Sequence, residues 1–252
     1  MVLEQILIAT IVVSLVSLVG VLISSKKQEK GEMFLLLMVS FATGTLLAGA
    51  FFDLLPESVE LLGAEQASFF VLLGLLVFFL LERFVFWHHH HHEDHKHEKP
   101  LAYLTLIGDG LHNFFDGAAI AASFMIGPHI GVPTTLAIMA HEIPQEIGDF
   151  SLLVYSGFTK SKALLFNLLS AFAAVLGALF FFYFSTIIDN LNGFGLAFTA
   201  GMFIYIAGVD LIPELFHNVE KGKHKLNTDL LQTATILLGI VAIYVIRIFF
   251  VE

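Results

Sequence analysis

FATGTLLAGAFFDLLPE, the stretch at residues 41–57, is repeated at residues 198–214 as FTAGMFIYIAGVDLIPE. Seven of the seventeen aligned positions are identical without a gap, and both stretches end on Asp, Leu, an aliphatic residue, Pro and Glu. Each lies in an apolar run long enough to cross a bilayer as a helix, and repeated membrane helices indicate a fold built from two related halves. The alternative is that two membrane helices share an end motif by chance or because they are capped alike.

The composition predicts that lipid is the solvent for most of the chain. Hydrophobic residues make up 57% of the 252 residues, and 27 of them are Phe. A soluble domain could not hide so much apolar surface in one core. Runs of roughly 20 mainly apolar residues predict eight membrane-spanning helices, at residues 3–23, 33–55, 67–87, 101–126, 130–155, 163–188, 194–216 and 230–251. The predicted fold class is therefore all-α, a polytopic membrane protein in which residues 1–252 form a single transmembrane domain.

The basic residues predict the orientation of these helices. Eleven of the 12 Lys and Arg residues lie in or beside the first, third, fifth and seventh connections, and Arg247 in the last helix is the exception. The positive-inside rule assigns those connections to the cytoplasm and both termini to the outside. On this topology helices 1–3 and helices 6–8 are predicted to be inverted repeats on either side of helices 4 and 5.

Two features of the composition limit the chemistry. The chain has no Cys, which excludes disulfides and thiolate ligands, so any metal must be bound through nitrogen or oxygen. The net charge of −10 arises partly from acids inside apolar segments and gives no reason to expect a nucleic-acid partner.

Helices 4 and 5 each carry a polar stripe inside an apolar segment. On helix 4 the residues at i, i+3, i+4 and i+7, which share one helical face, are Asp109, His112, Asn113 and Asp116. Helix 5 contains HEIPQEIGDF at residues 141–150. Steps of four residues align one row on its surface and a second row beside it, namely His141, Gln145 and Asp149, and next to them Glu142 and Glu146.

The acids of these stripes need a neutralising partner. Each charge near the bilayer centre costs roughly 2.5 to 3.5 kcal/mol, and no Lys or Arg lies in the core of either helix. A divalent cation, protons or water must compensate them, and imidazole with carboxylate oxygen is a ligand set that suits zinc and its neighbours. The alternative is that these side chains only hydrogen-bond one another and so hold two helices together.

At these residues the sequence resembles the ZIP family of zinc and iron transporters. The family carries His-Asn-x-x-Asp/Glu on helix 4 and His-Glu-x-Pro-x-Glu-x-Gly-Asp-Phe on helix 5, which read here HNFFD at 112–116 and HEIPQEIGDF at 141–150. Eight helices, outside termini and a histidine-rich loop between helices 3 and 4 extend the resemblance over nearly the whole chain. It implies a transporter and not an enzyme, one that carries zinc towards the cytoplasm without ATP, with Fe²⁺, Mn²⁺ and Cd²⁺ as other candidate ions.

The resemblance also implies which residues bind the ion. The implied zinc-type site consists of His112, Asp116, His141, Glu142 and Gln145, and the candidates for a neighbouring second position are Asn113 and Glu146. Gln145 is a departure, because the closest version of the motif usually has His there, and a neutral amide is a weaker ligand than imidazole. The expected partners are divalent metal ions and the lipid bilayer, with a second copy of the chain as a candidate for a homodimer.

Two other classes of protein stay open at this point. His141-Glu142 begins like the HExxH motif of zinc hydrolases, in which Glu is the general base, although Gln145 replaces the second His. An intramembrane metallohydrolase is therefore one alternative. A metal sensor or storage protein that uses the histidine-rich loop is the other, but it would leave the stripes of helices 4 and 5 unexplained.

The histidine-rich segment at residues 88–99 is predicted to lie in a cytoplasmic loop. It reads HHHHHEDHKHEK, and its imidazoles could capture metal ions that leave the pathway, or could form a solvated low-complexity tract.

Deleting residues 88–92 is expected to change the half-saturation concentration for metal uptake modestly and to preserve uptake itself. Flexible side chains gather ions without forming the barrier that the ions cross. Uptake by reconstituted protein is the measurement, and complete loss of uptake in a correctly inserted deletion variant would contradict this view of the loop.

Overall fold

The computed structural model describes residues 2–24, 28–89, 99–220 and 226–251, and within these ranges the chain forms eight helices and no strand. Five helices run without interruption: helix 1 (Val2–Ser24), helix 3 (Ala64–His89), helix 4 (Lys99–Ile126), helix 5 (Pro128–Tyr155) and helix 8 (Leu226–Val251). Helix 2 consists of Gln28–Ala48, the π-helical turn Gly49–Leu54 and Leu55–Leu62. Helix 7 consists of Leu191–Tyr205, the π-helical turn Ile206–Leu211 and Ile212–Glu220, and helix 6 of Lys160–Ala171 and Ala173–Ser185. The predicted all-α fold is confirmed.

Five of the described helices are long and apolar enough to cross a membrane. They belong to helices 2, 3, 6, 7 and 8, with spans Met33–Leu62, Ala64–Arg83, Lys160–Ser185, Leu191–Phe216 and Asn227–Phe249. Only 17% of the helix 3 span and 11% of the helix 8 span are buried, which puts these two helices on the rim that faces lipid. Helices 4 and 5 pack against helices 1, 2, 6, 7 and 8, so their polar stripes lie inside a multi-pass membrane bundle.

The internal repeat of the sequence is reproduced by the backbone. The π-helical turns Gly49–Leu54 and Ile206–Leu211 occupy the same positions of the two repeated stretches. A π-helical turn accommodates one extra residue in a helix and is found mostly at functional sites. Helix 2 packs along helix 8 in the same way as helix 7 packs along helix 3, and helix 1 packs on helix 5 as helix 6 packs on helix 4. These equivalent pairings support the division into two halves.

Glycines bring the paired helices into close contact at equivalent places. A Cβ atom on Gly44 of helix 2 would lie 2.1 Å from the carbonyl oxygen of Ile236 in helix 8. A Cβ atom on Gly201, its counterpart in helix 7, would lie 1.9 Å from the carbonyl oxygen of Val71 in helix 3. Both contacts are with backbone, which cannot move aside alone. Membrane helices without a water-driven force between them rely on such small residues for van der Waals packing.

Helix 6 is interrupted at Phe172, where its two segments meet. The Ser14 hydroxyl of helix 1 donates a hydrogen bond of 2.8 Å to the carbonyl oxygen of Ala171 beside the interruption. A polar side chain from a neighbouring helix thus satisfies a backbone group that lipid could not. The sequence predicted one continuous helix here, since hydropathy does not record such interruptions.

Gly201→Ala is expected to destabilise the protein by about 1–3 kcal/mol, because the added methyl group forces helices 3 and 7 apart. The control is Gly208→Ala on the same helix, where an added Cβ meets no atom within 4 Å. Thermal unfolding in detergent measures both variants. Equal unfolding temperatures for the two would show that helices 3 and 7 are less closely packed than described.

Candidate metal centre

The stripes of helices 4 and 5 face each other in the centre of the bundle. Helical steps of three and four residues bring the polar side chains of each stripe to one face, and the two faces meet. Six of these side chains are buried, with at most 5% of their surface exposed: Asp109, Asn113, Asp116, His141, Glu142 and Glu146. The interhelical contact predicted from the sequence therefore forms, with several ionisable groups enclosed in it.

Four side chains converge on one point and could bind a metal ion. The donor atoms of His112, Asp116, His141 and Glu142 all lie within 4.8 Å of one another. Asp116 Oδ2 is 3.2 Å from His141 Nε2 and 3.7 Å from His112 Nε2. Glu142 Oε1 is 3.6 Å from each of the same two nitrogens. Two imidazole nitrogens and two carboxylate oxygens provide a complete set of four ligands for an ion such as zinc.

The histidine rings are oriented towards this point by their surroundings. The two Nε2 atoms lie 3.2 Å apart, and the other ring nitrogen of His141 lies 3.2 Å from the carbonyl oxygen of Ala137. Such a backbone contact on the second nitrogen is the usual way in which a protein fixes a metal-binding histidine. Phe78 packs edge-on against His112 and Phe203 against His141, at ring-centroid distances of 5.5 and 6.3 Å.

The cluster contains buried oxygen atoms that no hydrogen bond satisfies. Asp116 Oδ1 and Glu142 Oε1 are both without a hydrogen-bond partner. Among the described residues neither carboxylate forms an ion pair with Lys or Arg. Buried charge without a partner is costly. A positive charge at the point where the four groups converge would compensate it.

Asp109 forms a second centre one turn away from the cluster. Its Oδ1 accepts hydrogen bonds from the side-chain amides of Asn113 at 3.0 Å and Gln145 at 3.2 Å. Its Oδ2 accepts one of 2.5 Å from the Ser170 hydroxyl on helix 6. Three neutral donors therefore surround this carboxylate. The amide group of Gln145 is directed towards Asp109, while its role as a metal ligand stays a prediction.

Glu146 and Asn113, the two candidates for a neighbouring second position, are both buried. The Asn167 amide, also on helix 6, donates to the Glu146 carboxylate and, at 3.1 Å, to its backbone carbonyl oxygen. One side-chain oxygen of Glu146 and that of Asn113 are buried without a hydrogen-bond partner. A second cation position formed by these two residues stays a prediction.

Two residues of this region were missed by the sequence reasoning, Asn167 and Ser170. A signal was present, because they stand three residues apart, and so on one face, within the apolar stretch LLFNLLSAF at 164–172. A polar pair inside a membrane helix indicates an interhelical contact. Residues 90–98, most of the histidine-rich segment, lie outside the described residues.

A cavity of about 690 Å³ leads from one end of the bundle to the cluster. His112 and His141 line it together with Gln145. Its walls also carry a series of carboxylates, those of Glu82, Asp109, Asp149, Asp210 and Glu214. An acidic wall of this kind favours cations over anions.

On the far side of the cluster, apolar side chains fill the bundle. Ile120, Ala137, Ile138 and Phe203 are completely buried there as parts of one hydrophobic core. The described site is therefore open towards one end of the bundle and closed towards the other. We refer to these as the cavity end and the closed end.

Comparison with known proteins places the chain in a family. The family model described as ZIP Zinc transporter matches residues 5–101 and 87–247. The chain is 41% identical to zinc transporter ZIP6 of Homo sapiens over 151 residues, which are 59% of this chain and 20% of that protein. It is 39% identical to zinc transporter ZIP10 of Homo sapiens over 153 residues, 59% of this chain and 18% of that protein. The chain thus spans about a fifth of the length of these relatives.

A third relative is matched over most of its length. The chain is 32% identical to zinc transporter ZIP13 of Pongo abelii over 241 residues, which cover 88% of this chain and 70% of that protein. The motifs on helices 4 and 5, the buried four-donor cluster and a family match over nearly all residues agree with one another, and the chain belongs to the ZIP zinc transporter family.

Proposed function

We propose that this protein carries a divalent cation, zinc foremost, across a membrane through the site between helices 4 and 5. The observation that carries the proposal is the buried cluster of His112, Asp116, His141 and Glu142 at the end of an acidic cavity. A membrane carrier needs a binding site near the middle of the bundle that is open to one side at a time. The cluster lies inside the bundle, and in the described conformation its cavity opens towards one end.

The ligand set supports zinc as the principal cargo. Two imidazoles and two carboxylates suit tetrahedral zinc, and the matched relatives are named zinc transporters. Fe²⁺, Mn²⁺ and Cd²⁺ are further candidates, because nitrogen and oxygen ligands also bind other divalent ions. We propose that residues 1–252 act as one transport domain, and that the carrier is either a single chain or a homodimer.

The predicted orientation identifies the side of the membrane to which the described cavity opens. The cavity is lined by Glu82, Asp149 and Glu214, which lie near the ends of helices 3, 5 and 7. The positive-inside rule assigns those ends to the cytoplasm. The described conformation then corresponds to a state that releases its ion into the cytoplasm. The inverted repeats provide a second state in which the closed end opens instead.

The rival functions have less support. A metallohydrolase of the HExxH type needs a second histidine where this chain has Gln145, whose amide binds Asp109. A sensor or storage protein needs no acidic cavity that leads into a membrane bundle. Transport explains the cluster, the cavity and the repeats together.

His112→Ala and Asp116→Asn are each expected to lower zinc uptake by more than about 100-fold, because changes in the outer shell of a metal site alone cost about 10–100-fold in affinity. Asp116→Asn keeps the shape of the side chain and removes its charge. His129→Ala is the matched control, since His129 lies at the start of helix 5 and outside the cluster. Initial rates of zinc uptake into proteoliposomes are the measurement, and wild-type rates in either cluster variant would reject the ligand assignment.

Gln145→His is expected to raise the affinity for zinc relative to manganese and ferrous iron. Imidazole favours the later transition metals along the Irving-Williams order more than an amide oxygen does. Competitive uptake of the three ions at one fixed pH tests this. The control is Ser151→His, which adds an imidazole to the cavity wall on the same helix. An unchanged order of preference and unchanged half-saturation in Gln145→His would place residue 145 outside the ligand set.

A further inference from the structure

The two halves of the molecule differ in charge at one pair of equivalent positions. Asp53 and Asp210 are equivalent in the repeated stretches, and both lie in π-helical turns. The close contacts of helix 2 with helix 8 and of helix 7 with helix 3 share one register, in which Gly239 corresponds to Gly74. In that register Arg247 corresponds to Glu82. In one half Asp53 therefore stands beside a base, Arg247. In the other half its counterpart Asp210 stands beside a second acid, Glu82.

At the cavity end the pair is open to solvent and negative. Asp210 and Glu82 both line the cavity and lie close enough to share one proton in a hydrogen bond, which leaves the pair with a negative charge, and the Tyr205 hydroxyl donates to Glu82. Two carboxylates at the mouth of an open cavity attract a cation. Among the described residues, neither of them forms an ion pair with a Lys or Arg side chain. Within the described residues, the cavity that these two acids line extends to His112 and His141 of the cluster.

At the closed end the pair is an ion pair. Arg247 Nε lies 3.5 Å from Asp53 Oδ1, with the Asp53 side chain fully buried and 38% of the Arg247 side chain exposed. Neither oxygen of Asp53 accepts a hydrogen bond. Phe52 and Tyr244, also from helices 2 and 8, pack edge to face beside it at 6.1 Å. The Arg247 guanidinium is thus the positive charge that compensates a carboxylate in the interior of the bundle.

Asp53 is connected to the metal cluster through a short series of contacts. Gly49 precedes it in the same π-helical turn, and a Cβ atom on Gly49 would touch Phe203 at 3.6 Å and Ala137 at 3.8 Å. Phe203 packs against the ring of His141. Asp53 therefore lies one helical turn from residues that pack against the closed side of the cluster.

We propose that Asp53 is the cation-binding residue of the closed end and that Arg247 is its tethered competitor, which a zinc ion must displace in order to enter. This inference rests on the proposed transport function. Ionisable groups inside membrane helices are rare and usually belong to ion pathways or pair with one another, and Asp53 and Arg247 form such a pair within a few contacts of the cluster. While Arg247 is bound, helices 2 and 8 are held together. Its displacement by zinc couples the arrival of an ion to a local opening beside Asp53, while the glycine contacts keep helices 2 and 8 packed together.

Arg247→Gln is expected to lower the half-saturation concentration for zinc uptake about fivefold, the size of effect that a partly exposed ion pair produces. Asp53→Asn is expected to raise it, and the double variant is expected to resemble Asp53→Asn, because Arg247 no longer has a carboxylate to occupy. Arg247→Lys keeps the charge and should behave nearly as wild type. Lys160→Gln removes an exposed positive charge at the start of helix 6 and serves as the control.

A second measurement follows the opening directly and needs no transport. The chain has no Cys, so Ala137→Cys introduces a single thiol between Gly49 and His141. In metal-free protein in detergent, a polar thiol reagent should label this Cys faster when Arg247→Gln is also present. The proposal is overturned if folded Arg247→Gln protein shows the half-saturation concentration and the labelling rate of the wild type. If that variant only unfolds at a lower temperature, with both of these quantities unchanged, the ion pair is purely structural. If wild-type protein takes up no zinc, the transport function fails, and labelling alone still decides whether Arg247 closes this end.

Discussion

The need to balance buried negative charge governs the interior of this protein. Asp109, Asp116, Glu142 and Glu146 are enclosed between membrane helices, where water can solvate none of them fully. A bundle with so many carboxylates would be costly to form unless each one has a compensating group. Each compensation described here is of a different kind, and the differences distinguish structural from functional acids.

Three kinds of compensation are present. Asp109 is surrounded by neutral donors from three helices, those of Asn113, Gln145 and Ser170, and needs no cation to be stable. Asp53 is paired with the fixed charge of Arg247. Within the described part of the chain, the acids of the four-donor cluster have the two histidines as their ion-pair partners and retain oxygens without a hydrogen-bond partner. The cluster is therefore the place where an exchangeable cation is most strongly favoured, whereas Asp109 and Asp53 already have compensating groups from the protein in the described conformation.

The sequence predicted a large part of this arrangement, for identifiable reasons. Apolar runs predicted the eight helices, because lipid imposes a minimum length on each span. Steps of three and four residues predicted the faces on which His112, Asp116 and His141 meet, because helical geometry is fixed. The repeat predicted the equivalence of helices 2 and 7, but not the π-helical turn that each of them contains, because such a turn has no hydropathy signal.

What the sequence did not predict depends on contacts between distant segments. Asn167 and Ser170 acquire their roles only when helix 6 packs beside helices 4 and 5. Arg247 stood out as an exception to the charge bias, but its partner could not be named before helix 8 was placed against helix 2. The orientation of Gln145 towards Asp109 depends on competing donors within a few ångströms of one another, which residue spacing alone cannot resolve.

The four donors of the cluster come from two consecutive helices that are joined by the single residue Gly127. Any rearrangement of the other six helices that leaves this hairpin intact preserves the geometry of the donors. A site of constant geometry presents the same ligands to its ion whichever end of the bundle is open. Its intrinsic binding free energy is then the same in both states, and binding does not favour one state over the other. Under the transport function proposed above, such a site would supply no energy of its own, and net flow through it would follow the electrochemical gradient of the ion.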